Sequence, residues 1–220
     1  MSHHAYEQVE HVSQFFQIHP QSPQPRLVKQ AVEIIRQGGV VVYPTDSSYA
    51  VGCRIGDKSA IERVRRLRQL DDRHNFTLLC VDLSQLGLFA KVDTAAFRLI
   101  KAHTPGPYTF ILNATREVPR LLLHPKRRTI GLRVPEHPIA QALLAELGEP
   151  LMSVSLIMPG DAEPLNDPYE MRGRLEHHVD LIIDGGAGGV SASTVISLLN
   201  DEPEVVRVGC GDPAPFVALA

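Results

Sequence analysis

The chain has 220 residues, of which 44% are hydrophobic and 21% charged, and its formal net charge is −3. This balance is typical of a soluble globular protein of one domain or a tight pair of domains. No apolar run approaches the roughly 18 residues of a membrane-spanning helix, and the N-terminal residues lack the apolar stretch of a secretory signal.

The predicted elements alternate between strands and helices along most of the chain. The predicted strands are 14–18, 40–43, 76–81, 108–112, 129–134, 151–155, 181–183, 194–199 and 205–208. The predicted helices are one that ends at Gly38-Gly39, one at 58–70 capped by Asp57, one capped by Asp93 and ended by Pro105, and two at 138–147 and 168–178. Several neighbouring strands have no helix between them, which favours an α/β fold with a mixed parallel and antiparallel sheet.

One domain is expected. Residues 1–12 have no clear periodicity and predict a disordered extension, the domain itself covers 13–213, and 214–220 form a tail. The three cysteines, Cys53, Cys80 and Cys210, lie far apart and show no CxxC spacing. They indicate reduced thiols in the cytoplasm rather than a disulfide set or a zinc site, and no residue is assigned to a metal.

The segment Tyr43-Pro44-Thr45-Asp46 ends a buried strand with a hydroxyl and a carboxylate. In open α/β sheets, ligands bind in the crevice outside the strand ends, so this segment is a candidate binding site. Pro44 fixes its own φ and keeps Tyr43 extended, which makes the exit from the strand stiff. An ordinary turn is the alternative interpretation, because Pro and Asp are common turn residues.

Arg133 lies within an otherwise apolar strand, Thr129–Val134. An unmatched buried guanidinium is very costly, so Arg133 must contact either a carboxylate or an anionic ligand, and the sequence does not decide between them. Other basic residues form two clumps, one over 63–73 and one over 126–128. Such clumps are often solvated helix faces, although in a slightly acidic protein they also suit a small polyanion such as a triphosphate.

Taken in order, the motifs of the chain resemble those of the threonylcarbamoyl-AMP synthase superfamily, and within it the YciO-like branch rather than the YrdC branch. The resemblance covers residues 13–213 and rests on seven motifs: Gly38-Gly39 leading into Tyr43-Pro44-Thr45-Asp46, Tyr49-Ala50-Val51-Gly52, Arg66-Leu67-Arg68, Pro105-Gly106-Pro107-Tyr108-Thr109, Gly131-Leu132-Arg133-Val134-Pro135 with His137-Pro138, Ser193-Thr194-Val195, and Arg207-Val208-Gly209. Since the resemblance begins at Ser13, it also predicts Val12 as an alternative start.

The resemblance implies a twisted mixed sheet around a deep, positively charged cavity, similar to that of dihydroxybutanone-phosphate synthase. It implies an enzyme that converts L-threonine, bicarbonate and ATP, with Mg²⁺, into threonylcarbamoyl-adenylate and pyrophosphate for tRNA modification. The implied catalytic residues are Thr45, Arg66 and Arg68. The implied nucleotide-binding residues are Arg66, Arg68, Asn75, Ser155, Ser193, Thr194 and Arg207, and the implied substrate-binding residues are Thr45, Thr109 and Arg133.

Two motifs differ from the family pattern. The family's Ser-Ala-Asn is Ser155-Leu156-Ile157 in this chain, and its Lys-x-Arg is Arg66-Leu67-Arg68. Loss of one polar partner weakens binding by about 1–3 kcal/mol, and the exchange of Lys for Arg replaces a point charge by a planar fork. An alternative function is therefore a double-stranded RNA or ribosome-associated protein that kept the cavity without synthase activity; a nucleotide-sensing protein without turnover is a third.

Overall fold

The computed structural model describes residues 12–71, 74–200 and 202–217. Its strands are β1 (Gln14–Gln17), β2 (Val41–Tyr43), β3 (Ala50–Arg54), β4 (Thr77–Leu79), β5 (Tyr108–Asn113), β6 (Thr129–Arg133), β7 (Leu151–Ser155), β8 (Leu181–Asp184), β9 (Thr194–Ser197) and β10 (Glu204–Arg207). Its helices are α1 (Pro25–Arg36), α2 (Lys58–Arg68), α3 (Leu83–Phe89), α4 (Thr94–Ala102), α5 (Pro138–Leu147) and α6 (Pro168–Leu175).

All of these strands form one sheet in the order β1-β8-β2-β3-β7-β4-β6-β5-β9-β10. The pairs β1–β8, β2–β8, β4–β6 and β5–β9 are parallel, whereas β2–β3, β3–β7, β4–β7, β5–β6 and β9–β10 are antiparallel. The expectation of a mixed sheet is confirmed. Strands from distant parts of the chain thereby become neighbours at the centre of the sheet.

The core lies on both faces of the sheet, because successive side chains of a strand point to opposite faces. Val42 and Ile182 belong to the cluster on the first face, which α2 covers with Ile61. The second face carries the other cluster, where α1 and α5 pack over Val41 and Leu181. Each face is therefore sealed by helices over part of its area.

Local signals account for the helix ends. The Asp57 side chain accepts a hydrogen bond from Ala60 N and caps α2, as predicted, but α2 ends at Arg68 because Gln69 adopts a left-handed conformation with φ of 50°. The prediction of a helix to 178 is also too long, since α6 ends at Leu175. None of the helices in the described ranges combines the length and apolar character needed to cross a membrane.

Most predicted strands begin or end one or two residues away from the observed strands, and two elements and one domain boundary also differ from the predictions. β3 and α3 were not predicted; each includes a glycine, which weakens the local signal for strand or helix. The predicted tail at 214–220 begins inside the folded domain, because Phe216 is buried against the rings of Tyr108 and His103. The predicted extension over 1–12 lies outside the described residues except for Val12, which is exposed.

Candidate functional site

A cavity of about 600 Å³ opens on the second face of the sheet, beside the cluster under α1 and α5. That cluster takes its strand residues from β2, β3, β4, β7 and β8. Toward β5 and β9 the same face mixes polar and small side chains with a few apolar ones. The cavity-lining strand residues are Thr77 and Leu79 of β4, Thr109 and Ile111 of β5, Gly131 and Arg133 of β6, Ser153 and Ser155 of β7, and Val195 of β9. The volume lies within the range of roughly 300–1,000 Å³ typical of small-molecule sites.

The loop after β2 supplies one wall of the cavity through Thr45, Ser47 and Ser48. The Thr45 hydroxyl donates a hydrogen bond to the Ser48 carbonyl at 2.6 Å, and it lies 3.2 and 3.3 Å from the backbone nitrogens of Ser47 and Ser48, which donate to it. Thr45 is buried. Its hydroxyl therefore holds the loop in one conformation while its side chain lines the cavity.

Arg133 has a carboxylate partner, which decides between the two possibilities left by the sequence. Its Nη2 donates to Asp46 Oδ1 at 2.5 Å, and its Nη1 donates to Ser47 Oγ at 2.8 Å. The two charged side chains are only 7% and 11% exposed. Arg133 Nε and Asp46 Oδ2 are buried and lack a hydrogen-bond partner within the part of the chain that the structure describes. The pair thus neutralises most of its own charge but keeps one donor and one acceptor unused.

Two further guanidinium groups reach the cavity from opposite sides. Arg68, at the end of α2, donates from Nε to the Ser155 carbonyl at 2.9 Å. Arg207 of β10 donates from Nε and Nη2 to the Ser193 carbonyl at 3.2 and 2.8 Å. Burial lowers the pKa of both arginines from the usual value, yet arginine remains charged in proteins. Each keeps donors available, so the two provide fixed positive charge at the cavity.

Most of the predicted site residues do lie together. Thr109 and Ser193 are hydrogen-bonded through their hydroxyls at 2.8 Å. Asn75 Oδ1 is buried and has no hydrogen-bond partner among the described residues. The predicted residues that line the cavity are Thr45, Arg68, Asn75, Thr109, Arg133, Ser155, Ser193 and Arg207. Strand pairing places them on one surface although they are spread over most of the chain.

Arg66 and Thr194 are not among the cavity-lining residues. Arg66 is exposed, because positions two apart on a helix point about 200° away from each other and Arg68 occupies the inner side. Neighbouring side chains of a strand point to opposite faces, so Thr194 points away from the face on which Val195 lines the cavity. Its buried hydroxyl donates to the Gly211 carbonyl at 2.6 Å and accepts from Gly209 N at 2.9 Å. The expectation that these two side chains converge on the cavity is wrong.

The structure also adds cavity residues that the sequence analysis did not assign, among them Ser47, Thr77, His74 and Ser153. Ser153 and Thr77 were detectable in principle, since each lies two positions from another lining residue of the same strand. Ser153 Oγ accepts a hydrogen bond from the buried Tyr43 hydroxyl at 2.7 Å. His74 offered no periodic signal, because it lies in a loop between α2 and β4.

Comparisons with known proteins agree with this arrangement. The Sua5/YciO/YrdC family model, described as "Telomere recombination", matches residues 33–209. The uncharacterized protein YciO of Escherichia coli strain K12 is 61% identical over 206 residues, which cover 94% of this chain and 100% of that protein. The crystal structure of E. coli YciO matches with a TM-score of 0.91, covering 93% of this chain and 100% of the other.

The names of two further relatives state an activity or a bound ligand. A threonylcarbamoyl-AMP synthase of Halorhodospira halophila is 32% identical over 178 residues, which cover 80% of this chain and 92% of that protein. The crystal structure of P. abyssi Sua5 complexed with L-threonine matches with a TM-score of 0.81 at 26% identity, covering 89% of this chain and 57% of the longer Sua5 chain. The predicted resemblance and the predicted mixed α/β sheet with flanking helices are confirmed.

Proposed function

The chain belongs to the Sua5/YciO/YrdC family, and from that premise we propose that it is a threonylcarbamoyl-AMP synthase-like nucleotidyltransferase. Its substrates would be L-threonine, bicarbonate and ATP, and its products threonylcarbamoyl-adenylate and pyrophosphate. Support comes from the threonylcarbamoyl-AMP synthase at 32% identity and from the related Sua5 solved with L-threonine.

The observation that carries this proposal is the convergence of Arg68, Arg133 and Arg207 on one cavity of about 600 Å³. Asp46 balances the charge of Arg133, so Arg68 and Arg207 remain to attract a polyanion. The hydroxyl groups of Thr109 on β5, of Ser153 and Ser155 on β7, and of Ser193 just before β9 add hydrogen-bonding groups suited to a polar substrate. A cavity of this size and charge fits a nucleotide better than it fits an extended duplex.

Two balanced steps make up the proposed reaction. The threonine ammonium group first loses a proton, and the free amine attacks the carbon of bicarbonate. A C–N bond forms, one C–O bond breaks, and the departing hydroxide takes an amine proton and leaves as water to give the carbamate. A carbamate oxygen then attacks the α-phosphorus of ATP, forming a P–O bond while the bond to the β-phosphate oxygen breaks and pyrophosphate leaves. Adenylyl transfer depends mainly on positioning and charge neutralisation, which Arg68 and Arg207 would provide.

We assign Mg²⁺ to the substrate, as the MgATP complex. The described residues contain no cluster of three or more His, Cys, Asp or Glu side chains suited to hold a metal. Mg²⁺ commonly takes several of its oxygen ligands from substrate phosphates and water, so a dedicated protein cage is not required. The positive side chains of the cavity would then compensate the remaining phosphate charge.

The product would serve the threonylcarbamoylation of adenosine in tRNA, and we place the reaction in the cytoplasm. Cys53, Cys80 and Cys210 are free thiols, as expected in a reducing compartment. Burial raises the pKa of the Cys53 and Cys80 thiols to about 12, which keeps them protonated and chemically inert.

Pyrophosphate release in the presence of ATP, L-threonine and bicarbonate tests the proposal. We expect wild-type activity that requires all three substrates. Arg68→Ala should lower kcat/KM by about 10- to 150-fold, as for the loss of a charged hydrogen bond worth about 1.5–3 kcal/mol. Arg66→Ala is the matched control, because it removes the same charge two residues away on the exposed side of α2. Its activity should stay within about twofold of wild type.

Absence of threonine-dependent pyrophosphate release, or equal effects of the two variants, would contradict the proposal. The RNA-binding alternative predicts a different pattern. In that case structured RNA would bind with a strong salt dependence, Arg66→Ala would weaken it, and Arg68→Ala would leave it unchanged. ATP binding without any product would indicate the nucleotide-sensing alternative.

A further inference from the structure

His74 lies in the wall of the cavity, in the loop that leads from α2 into β4. Its ring meets the ring of Phe76 edge to face, with 5.7 Å between the centroids. The residue is half-buried, so its imidazole is partly removed from water but still borders the space available to a ligand. Neither the family motifs nor the reaction described above gives it a role.

The charges around His74 are mostly positive. Arg68 and Arg65 face it from α2, Arg207 faces it from β10, and Asp71 is the acidic group in this set. Burial and the charge of Arg68 lower the pKa of His74 below its usual value of 6.5. The imidazole is therefore mainly neutral at pH 7 in the free protein, because burial and the neighbouring arginines both disfavour its charged form.

The ring nitrogens of His74 differ from those of His19, His103, His124 and His137. Nδ1 of His19, His124 and His137 accepts hydrogen bonds from nearby backbone N–H groups, and Nδ1 of His103 bonds to the Leu99 carbonyl. These rings have a structural function in a turn, a loop or a helix end. The ring of His74 makes no hydrogen bond to any residue in the described ranges. Both of its nitrogens thus remain available to a ligand.

We infer that His74 is a proton-dependent third cation of the anion site formed by Arg68 and Arg207, and that it gains a proton when a phosphate-bearing ligand binds there. A bound phosphate would reverse the local balance of charge, so the imidazolium would become the favoured form and donate a hydrogen bond to a phosphate oxygen. The inference deepens the proposed function, since it names a residue that contacts the phosphates of ATP or pyrophosphate.

The sign of the pH dependence follows from linkage. The free protein has a low pKa at His74 and the complex has a higher one, so binding takes up a proton between these two values. Phosphate affinity is then greatest below the free-state pKa and falls as the pH rises through the pKa of the complex. Each unit of difference between the two pKa values changes the dissociation constant by up to about tenfold.

Calorimetric titration of the full chain with inorganic pyrophosphate, between pH 5.5 and 8.5, tests the inference. Titrations in two buffers of different ionisation enthalpy give the number of protons taken up on binding. We compare wild type with His74→Gln, which cannot be protonated, and His74→Lys, which stays charged. His178→Gln is the control, because His178 is exposed and does not line the cavity. The titration of pyrophosphate itself is common to all four proteins and cancels in the comparison.

We expect a wild-type to His74→Gln affinity ratio that increases as the pH falls, and a smaller proton uptake in His74→Gln. His74→Lys should bind pyrophosphate with no protein-linked pH dependence, and His178→Gln should behave like wild type. Equal proton uptake in wild type and His74→Gln would overturn the inference, as would undetectable pyrophosphate binding by wild type. NMR titration of the His74 ring, with and without pyrophosphate, provides a second measurement in folded protein, and an unchanged pKa would also overturn it.

Failure of this inference and failure of the proposed function are distinguishable. Proton-coupled pyrophosphate binding without threonine-dependent turnover would support the role of His74 and reject the synthase reaction. Threonine-dependent turnover with identical proton uptake in wild type and His74→Gln would support the synthase reaction and reject the role of His74.

Discussion

Replacement of Arg133 by methionine removes the guanidinium that faces Asp46 while keeping an unbranched apolar stem. The Arg133 side chain is 7% exposed and the Asp46 side chain 11% exposed, and Arg133 Nη2 lies 2.5 Å from Asp46 Oδ1. Removal of one partner leaves the Asp46 carboxylate buried without its cation, and it also removes the hydrogen bond to Ser47 Oγ. We therefore expect Arg133→Met to lower the free energy of unfolding by about 3–5 kcal/mol.

Urea unfolding at pH 7, followed by far-UV circular dichroism, measures this change through the midpoint and the m-value. Arg54→Met is the matched control, because Arg54 pairs with Glu149 at the surface, where the two side chains are 47% and 29% exposed. An exposed pair contributes about 0–1 kcal/mol. The control should therefore change the free energy of unfolding by no more than about 1 kcal/mol.

A second variant separates pairing from packing. Arg133→Met combined with Asp46→Leu removes both charges, so it should be more stable than Arg133→Met alone, with a coupling energy of about 1–3 kcal/mol. If Arg133→Met cost no more than Arg54→Met, or if the two substitutions were additive, the structural ion pair would be refuted. Arg133 would then have to be matched by a ligand.

The remaining predictions use the same unfolding assay. Gly189→Ala should cost about 1–3 kcal/mol, because a Cβ there would lie 1.9 Å from the Ser47 carbonyl oxygen; a change below 0.5 kcal/mol would be inconsistent with that close approach. Tyr43→Phe should cost about 1 kcal/mol, because it removes the buried bond to Ser153 Oγ, and an unchanged midpoint would argue against that bond. Phe216→Ala should cost about 3–5 kcal/mol if the segment packs as described, whereas a mobile tail would show no loss.

Elements with strong local signals were predicted well. The helix at Pro138–Leu147 was predicted to the residue, because Pro138 suits the first helical turn and Gly148 ends the helix with φ of 76°. The strand at Leu151–Ser155 was also predicted to the residue. β3 and α3 were missed, since their local sequence is ambiguous and their conformation depends on packing against neighbours.

In the candidate site, too, some features could be predicted from the sequence and others depended on the tertiary structure. The sequence alone required Arg133 to have a partner, since a buried guanidinium must be matched. The identity of that partner depended on the tertiary structure, because Asp46 lies 87 positions away along the chain. Likewise, the basic character of Arg66 and Arg68 was evident from the sequence, but which of them faces the cavity depended on the rotation of α2.

Periodicity, caps and turns are local properties, so the sequence by itself determined most helices and strands, the mixed character of the sheet and the family resemblance. The order of the strands, the pairing of Arg133 with Asp46 and the position of His74 beside Arg68 and Arg207 were decided only by the tertiary structure. The physical reason is that strand pairing joins residues far apart in the chain, and their charges influence one another only after the sheet has brought them within a few ångströms.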